Sequence, residues 1–184
     1  MDFGFTDEQN ELREGARVFG AREVAPTILE RDAAARWEPE LFSKLGEAGF
    51  LGAPIPEEYG GLGLSAVETC LVMEGFGEGS RDAGLALAWG AHTILCGVPI
   101  WKLGTEEQKK KYLPKMCTGE MIGGFCLSES GSGSDAASMR TKAEKRGDHY
   151  VLNGTKMWIT NGPVGDVFVV TAVTAPDQKA FGIS

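Results

Sequence analysis

Apolar positions recur every third or fourth residue through most of the chain, then fall into short runs and alternations toward its end. Leu12, Ala16 and Phe19 share one helical face. Thr6 and Gln9 have the spacing of a capping box ahead of that face, with Asp7 and Glu8 well placed in the first turn. Pro26 lies near the end of the pattern, where it breaks or kinks a helix. Pro39 suits a first helical turn, Leu41, Phe42 and Leu45 form a buried stripe, and Gly49 is a C-terminal stop. Ile55 to Gly61 reads as a turn-rich loop. Ser65 with Glu68 opens another helix, through Cys70, Leu71 and Met73 toward Phe76. Ala83 to Trp101 is the most apolar stretch and predicts a helix surrounded by protein on most sides. Its glycines and Pro99 argue against a membrane span. Thr105 with Gln108 starts the last helix, and Lys109, Lys110 and Lys111 read as its solvated face.

After Gly119 the period changes. Ile122 to Leu127 is a short apolar run, and Thr141 to Lys145 alternates weakly. His149 to Asn153 reads as a strand, with Asn153-Gly154 as a hairpin turn. Met157-Trp158-Ile159 and Val167 to Val170 read as further strands. The expected fold class is α+β: an all-α domain over residues 1–117, then an antiparallel β-barrel-like domain over 118–184. Ala180 to Ser184 reads as the start of one more strand, so the β domain is expected to be incomplete. A few short strands with a raw edge are marginal alone.

Composition narrows the function classes. Of 184 residues, 42% are hydrophobic and 24% charged, which predicts a packed core. The formal net charge of −8 argues against nucleic acid or an anionic membrane as the main partner. Cys70, Cys96, Cys117 and Cys126 form no CxxC pair, and His92 and His149 have no metal-ligand spacing. No metal site is expected, and the cysteines read as buried free thiols. The acidic start Met1-Asp2-Phe3-Gly4 does not resemble a signal peptide, which makes the cytoplasm the expected compartment.

The chemistry-bearing stretch runs from Phe125 to Gly162. Phe125-Cys126-Leu127-Ser128-Glu129 leads an apolar strand into the small-residue loop Ser130-Gly131-Ser132-Gly133-Ser134-Asp135. Such a loop offers unhindered N–H groups and hydroxyls to a phosphate or pyrophosphate. Taken alone it is equally a flexible loop. Asn153-Gly154-Thr155-Lys156-Met157-Trp158-Ile159-Thr160-Asn161-Gly162 follows, carrying an indole and a hydroxyl. The alternative for Trp158 is an ordinary strand residue in the core, while His92 on its apolar helix reads first as a satisfied core residue.

Together, in this order, these segments resemble the flavin-binding signatures of the acyl-CoA dehydrogenase family. Pro56-Glu57-Glu58-Tyr59-Gly60-Gly61 and Gly104-Thr105-Glu106-Glu107-Gln108 also follow the family order, so the resemblance covers essentially the whole chain. It implies FAD as cofactor. Ser128 would bond the pyrimidine side of the ring, flanked by Leu127, and Gly133 and Ser134 would meet the pyrophosphate. Trp158 would pack against the isoalloxazine, Thr160 would hydrogen-bond near N5, and Ile159 would also contact the cofactor. Phe125 and Ser134 would line the acyl-CoA substrate. Three positions depart from the family: Ser130 where proline is usual, Ser132 where alanine is common, and Ser128 where threonine is more common.

The implied reaction is α,β-dehydrogenation of an acyl-CoA thioester to the trans-2-enoyl-CoA, in fatty acid metabolism. An electron-transferring flavoprotein would accept the electrons, and the complete enzyme would be a homo-oligomer, tetramer or dimer. The family's catalytic glutamate lies in a C-terminal four-helix domain expected to be absent here, so no catalytic residue is assigned, Glu129 included. Two alternatives stay open: a flavin oxidase or monooxygenase of the same fold, and a non-catalytic binding module.

Overall fold

A computed structural model describes residues 4–184; Met1, Asp2 and Phe3, part of the acidic start, lie outside the described residues. Helix α1 (Asp7–Phe19) begins where expected. The Thr6 hydroxyl accepts from Gln9 N and the Gln9 side chain accepts from Thr6 N, each at 3.2 Å. Pro26 does not end the helical path. It is absorbed by a π-helical turn (Gly20–Val24) and a 3-10 turn (Ala25–Thr27), after which α2 (Ile28–Ala33) continues. Helix α3 (Pro39–Glu47) buries Leu41, Phe42 and Leu45, and Gly49 follows in the left-handed region at φ 78°.

Helix α4 (Ala66–Ser80) starts from the Ser65–Glu68 box and lies against α1. The two backbones touch. A Cβ at Gly75 or Gly79 would overlap the carbonyl oxygens of Arg13 or Arg17. The central core forms between these helices. Trp89 is fully buried, stacks on Phe50 at 5.6 Å and meets the edge of Phe76 at 5.3 Å. Its indole N–H donates to Phe50 O at 3.0 Å, satisfying the one polar atom of a buried tryptophan.

Trp89 belongs to α5 (Ala83–Gly90), which runs through a π-helical segment (Ala91–Gly97) into α6 (Val98–Leu103). The helical path continues through Pro99. Proline has no N–H to donate, and the wider turns just before Pro99 absorb it without breaking the helix. By length and composition the 21-residue Ala83–Leu103 could cross a membrane, and 44% of its most apolar window is buried inside the protein. Helix α7 (Glu106–Thr118) starts from the Thr105–Gln108 box and ends at Gly119, φ 79°. Lys109 pairs with Glu106 at 2.8 Å, while Lys110 and Lys111 are exposed.

Four short strands follow: β1 (Gly123–Cys126), β2 (Lys142–Arg146), β3 (His149–Asn153) and β4 (Val167–Val170). The β2–β3 pair is antiparallel, as expected of the domain, with Lys142 opposite Asn153. The β1–β4 pair is parallel, with Gly123 opposite Val167 and Cys126 opposite Val170. A long excursion between β1 and β4 lets the chain return in the same direction.

Four local expectations change. Ala180 to Ser184 starts no strand: Ala180 to Gly182 close a 3-10 segment (Pro176–Gly182), and Ile183 makes only an isolated bridge to Val173. The hairpin turns at Gly147, φ 64°, between β2 and β3, and Asn153-Gly154 ends β3 instead. Gly154 is required by close approach, since a Cβ there would overlap Thr141. Met157-Trp158-Ile159 forms no strand. Cys70 is exposed rather than buried, because it lies on the α4 face of Val67, Glu74 and Glu78, all exposed; Cys96 and Cys117 are buried and Cys126 is half-buried.

Candidate functional site

The two motif segments lie side by side. Met157 N donates to Ser128 O at 2.8 Å. Toward the other end, a Cβ on Gly124 would lie 3.1 Å from Thr160 O. Residues 157–160 therefore run back along Gly124 to Ser128 without joining its ladder. Phe125 sits in β1 opposite Val169, and Phe125, Leu127 and Ser128 are all half-buried. Trp158 is 87% exposed and sits in the left-handed region at φ 59°. A non-glycine residue is strained there, and an indole turned to solvent gains nothing from the core. The reading of Trp158 as a core residue is thereby excluded.

Gly133 and Ser134 stand on an exposed outer turn, with open space where a Gly133 Cβ would point. That turn is pinned at its base. Glu129 and Ser132 exchange two backbone hydrogen bonds, 2.9 and 3.1 Å, and the Ser132 hydroxyl donates to Asp135 O at 2.8 Å. The turn is thus more ordered than a flexible loop. Among the described residues no hydrogen bond joins Gly133 or Ser134 to Trp158 or Thr160.

Three buried polar groups hold these segments together, and of these only His92 was readable beforehand, as a core residue. Lys156 Nζ donates to Leu127 O at 2.9 Å and to Glu129 Oε1 at 3.0 Å. Both side chains of this ion pair are nearly buried, 9% and 8% exposed. Burial pushes the Glu129 carboxyl up, but hydrogen bonds from Thr141, from the Arg140 N–H and from Lys156 outweigh it and hold the pKa at about 2. Asn161 is the second. At φ 64° its side-chain amide donates to Ala88 O and Gly123 O, both at 2.9 Å. His92 is the third. Its Nδ1 accepts from Gly123 N at 2.9 Å while Nε2 donates to Met116 O at 3.0 Å. Burial lowers its pKa to about 4, so the ring is neutral. His92 is a satisfied core residue that ties β1 to α7.

Of the expected site residues, only Thr160 lines the neighbouring open cleft of about 800 Å³. Arg36, Trp37, Arg81 and Asn161 line it too, and the Arg31–Asp82 ion pair, 2.7 Å with each side chain 10% exposed, lies in its wall. The remaining expected residues do not line that cleft.

Comparison with known proteins identifies the family. Residues 6–120 match the family model described as "Acyl-CoA dehydrogenase, N-terminal domain", and residues 124–184 match "Acyl-CoA dehydrogenase, middle domain". Mitochondrial isovaleryl-CoA dehydrogenase of Bos taurus is 48% identical over 174 residues, covering 93% of this chain and 40% of that protein. Butyryl-CoA dehydrogenase from Megasphaera elsdenii superposes with a TM-score of 0.90 at 38% identity, over 100% of this chain and 48% of that one. PigA, solved with FAD and proline, superposes with a TM-score of 0.96 at 35% identity and the same coverage. The chain thus spans under half the length of these relatives.

Proposed function

This chain belongs to the acyl-CoA dehydrogenase family, and we propose that it supplies the flavin- and acyl-binding part of an enzyme that converts an acyl-CoA thioester to the trans-2-enoyl-CoA. The observation that carries the proposal is the exposed, left-handed Trp158, held beside the end of β1 through the Met157–Ser128 hydrogen bond. An aromatic face in that position is a platform for a planar ring.

The residues fit FAD. Trp158 offers the face, with Ile159 and Thr160 beside it, and Leu127 and Ser128 supply the facing edge. A hydroxyl at Ser128 stabilises charge that develops on an electron-poor ring, as a fixed dipole does in an oxyanion hole. The open turn at Gly133 and Ser134 offers N–H and hydroxyl groups to a pyrophosphate. FAD, when bound, supplies the two-electron acceptor for the hydride leaving the acyl β-carbon.

Loss of the α-proton needs a base, and Glu129 is unsuited to the role. A carboxyl with pKa about 2, engaged by two backbone N–H groups and an ammonium, holds a proton poorly. In this proposal the base comes from outside these residues. Phe125 and Ser134 bound the acyl side. The isovaleryl- and butyryl-CoA relatives favour a short or branched acyl group. An electron-transferring flavoprotein as acceptor, a homo-oligomer and a cytoplasmic location complete the proposal.

The test is anaerobic titration of the purified natural-length protein with isovaleryl-CoA and butyryl-CoA. Bleaching of a visible flavin band with formation of the 2-enoyl thioester is the expected result. A colourless protein, or a flavin that neither thioester reduces, refutes the proposal. Stoichiometric oxygen consumption during turnover replaces the dehydrogenase reading with an oxidase of the same fold.

A further inference from the structure

The buried Glu129–Lys156 pair adjoins Ser128 on one segment and Met157 on the other, and neither reacting role nor surface solubility accounts for it. Two successive residues of one segment hold three successive residues of the other. Lys156 Nζ takes Leu127 O and the Glu129 carboxylate, and Met157 N takes Ser128 O between them. Glu129 is itself fixed from a third direction, accepting from Arg140 N at 2.7 Å and Thr141 N at 2.9 Å where the chain enters β2. A shift of Glu129 strands the Arg140 and Thr141 N–H groups and the Lys156 ammonium, and a shift of Lys156 strands the Leu127 carbonyl and the Glu129 carboxylate.

Fold stability alone is a poor reason for such a pair. Removing two charges from water is costly, and apolar replacements of buried ion pairs are often neutral or stabilising. What apolar side chains cannot do is grip the Leu127 carbonyl from the neighbouring segment. That grip acts two residues upstream of Trp158, whose backbone sits in a strained region with no protein packed over its indole. Without an anchor, the segment gains by relaxing toward an extended conformation and carrying the indole away.

We propose that Glu129 and Lys156 are positioning residues whose ion pair locks Ser128 and Trp158 into one rigid platform for the flavin. The proposal rests on the flavin reading above. It predicts that the platform fails when the pair is lost even if the fold survives.

The experiment compares the natural-length protein with Lys156→Met and with the double variant Glu129→Leu/Lys156→Met, which strands no charge. Each is stripped of flavin and titrated with FAD, and the visible circular dichroism of the bound flavin is recorded beside the far-ultraviolet spectrum. Both variants are expected to bind FAD about tenfold or more weakly and to change the visible dichroism, with the far-ultraviolet spectrum unchanged. If Lys156→Met does not fold, the double variant carries the test. A folded double variant with parental FAD affinity and parental visible dichroism overturns the inference and leaves the flavin reading standing. A parent protein that takes up no FAD overturns both.

Discussion

Asn161→Ala should loosen the join between the helical part and the segment that carries Thr160. The wild-type side chain reaches two backbone carbonyls from different elements, Ala88 in α5 and Gly123 in β1, each at 2.9 Å. It is 8% exposed, so water cannot readily take its place. Two buried hydrogen bonds at about 0.5–1.5 kcal/mol each give about 1–3 kcal/mol. Alanine also tolerates the left-handed backbone at φ 64° less well than asparagine, which adds about 1 kcal/mol. The expected loss is about 2–4 kcal/mol in urea-induced unfolding. Asn161→Gly separates the two contributions. It accepts the backbone angle but makes neither hydrogen bond, so it should lose about 1–3 kcal/mol, less than alanine. Because Thr160 precedes Asn161, FAD affinity should fall in both variants. Losses below about 0.5 kcal/mol in both would refute the reasoning, as that is the range of substitutions that break nothing.

Trp158→Ala with Ser134→Ala should weaken FAD retention by several kcal/mol, about 1–3 for each lost contact, while leaving thermal stability nearly unchanged because both side chains are exposed. Unchanged flavin content removes these residues from the site. Acid should destabilise the protein in two steps. His92 has a folded pKa of about 4 against 6.5 unfolded, so the unfolded chain binds more protons between those values. Its contribution is complete above about pH 6.5 and is lost toward pH 4, by up to about 3 kcal/mol. Glu129, held at about 2 against 4.5, contributes fully above about pH 4.5 and loses that contribution below it. Urea unfolding of His92→Gln at stepped pH should show the upper step flattened; an unaltered slope contradicts the assignment. Gly79→Ala should cost at least about 2 kcal/mol, because its Cβ would overlap the Arg17 carbonyl and push α1 from α4. Gly77→Ala, two residues away with nothing within 4 Å, should instead stabilise by about 0.5–1 kcal/mol in thermal unfolding.

The sequence by itself determined what depends on neighbours along the chain. All three capping boxes form at Thr6, Ser65 and Thr105, because a cap involves only residues three apart. The apolar stripe of α3 and the change from helical to strand patterning after Gly119 follow from local periodicity in the same way. The family, too, was legible, because the motif residues stand in order along the chain. Only the tertiary structure decided what depends on distant partners. Asn153-Gly154 has the composition of a hairpin turn, yet Gly154 is used for close approach to Thr141, and the hairpin turns at Gly147. Met157 to Ile159 has strand composition, yet its first N–H goes to Ser128 O and its backbone turns left-handed at Trp158. Pro99 sits inside a helical path because π-turns absorb it. Glu129 and Lys156, 27 residues apart, became a buried pair only when the two motif segments met. A charged side chain on a polar stretch reads as exposed until the fold supplies an opposite charge and a carbonyl to desolvate it against.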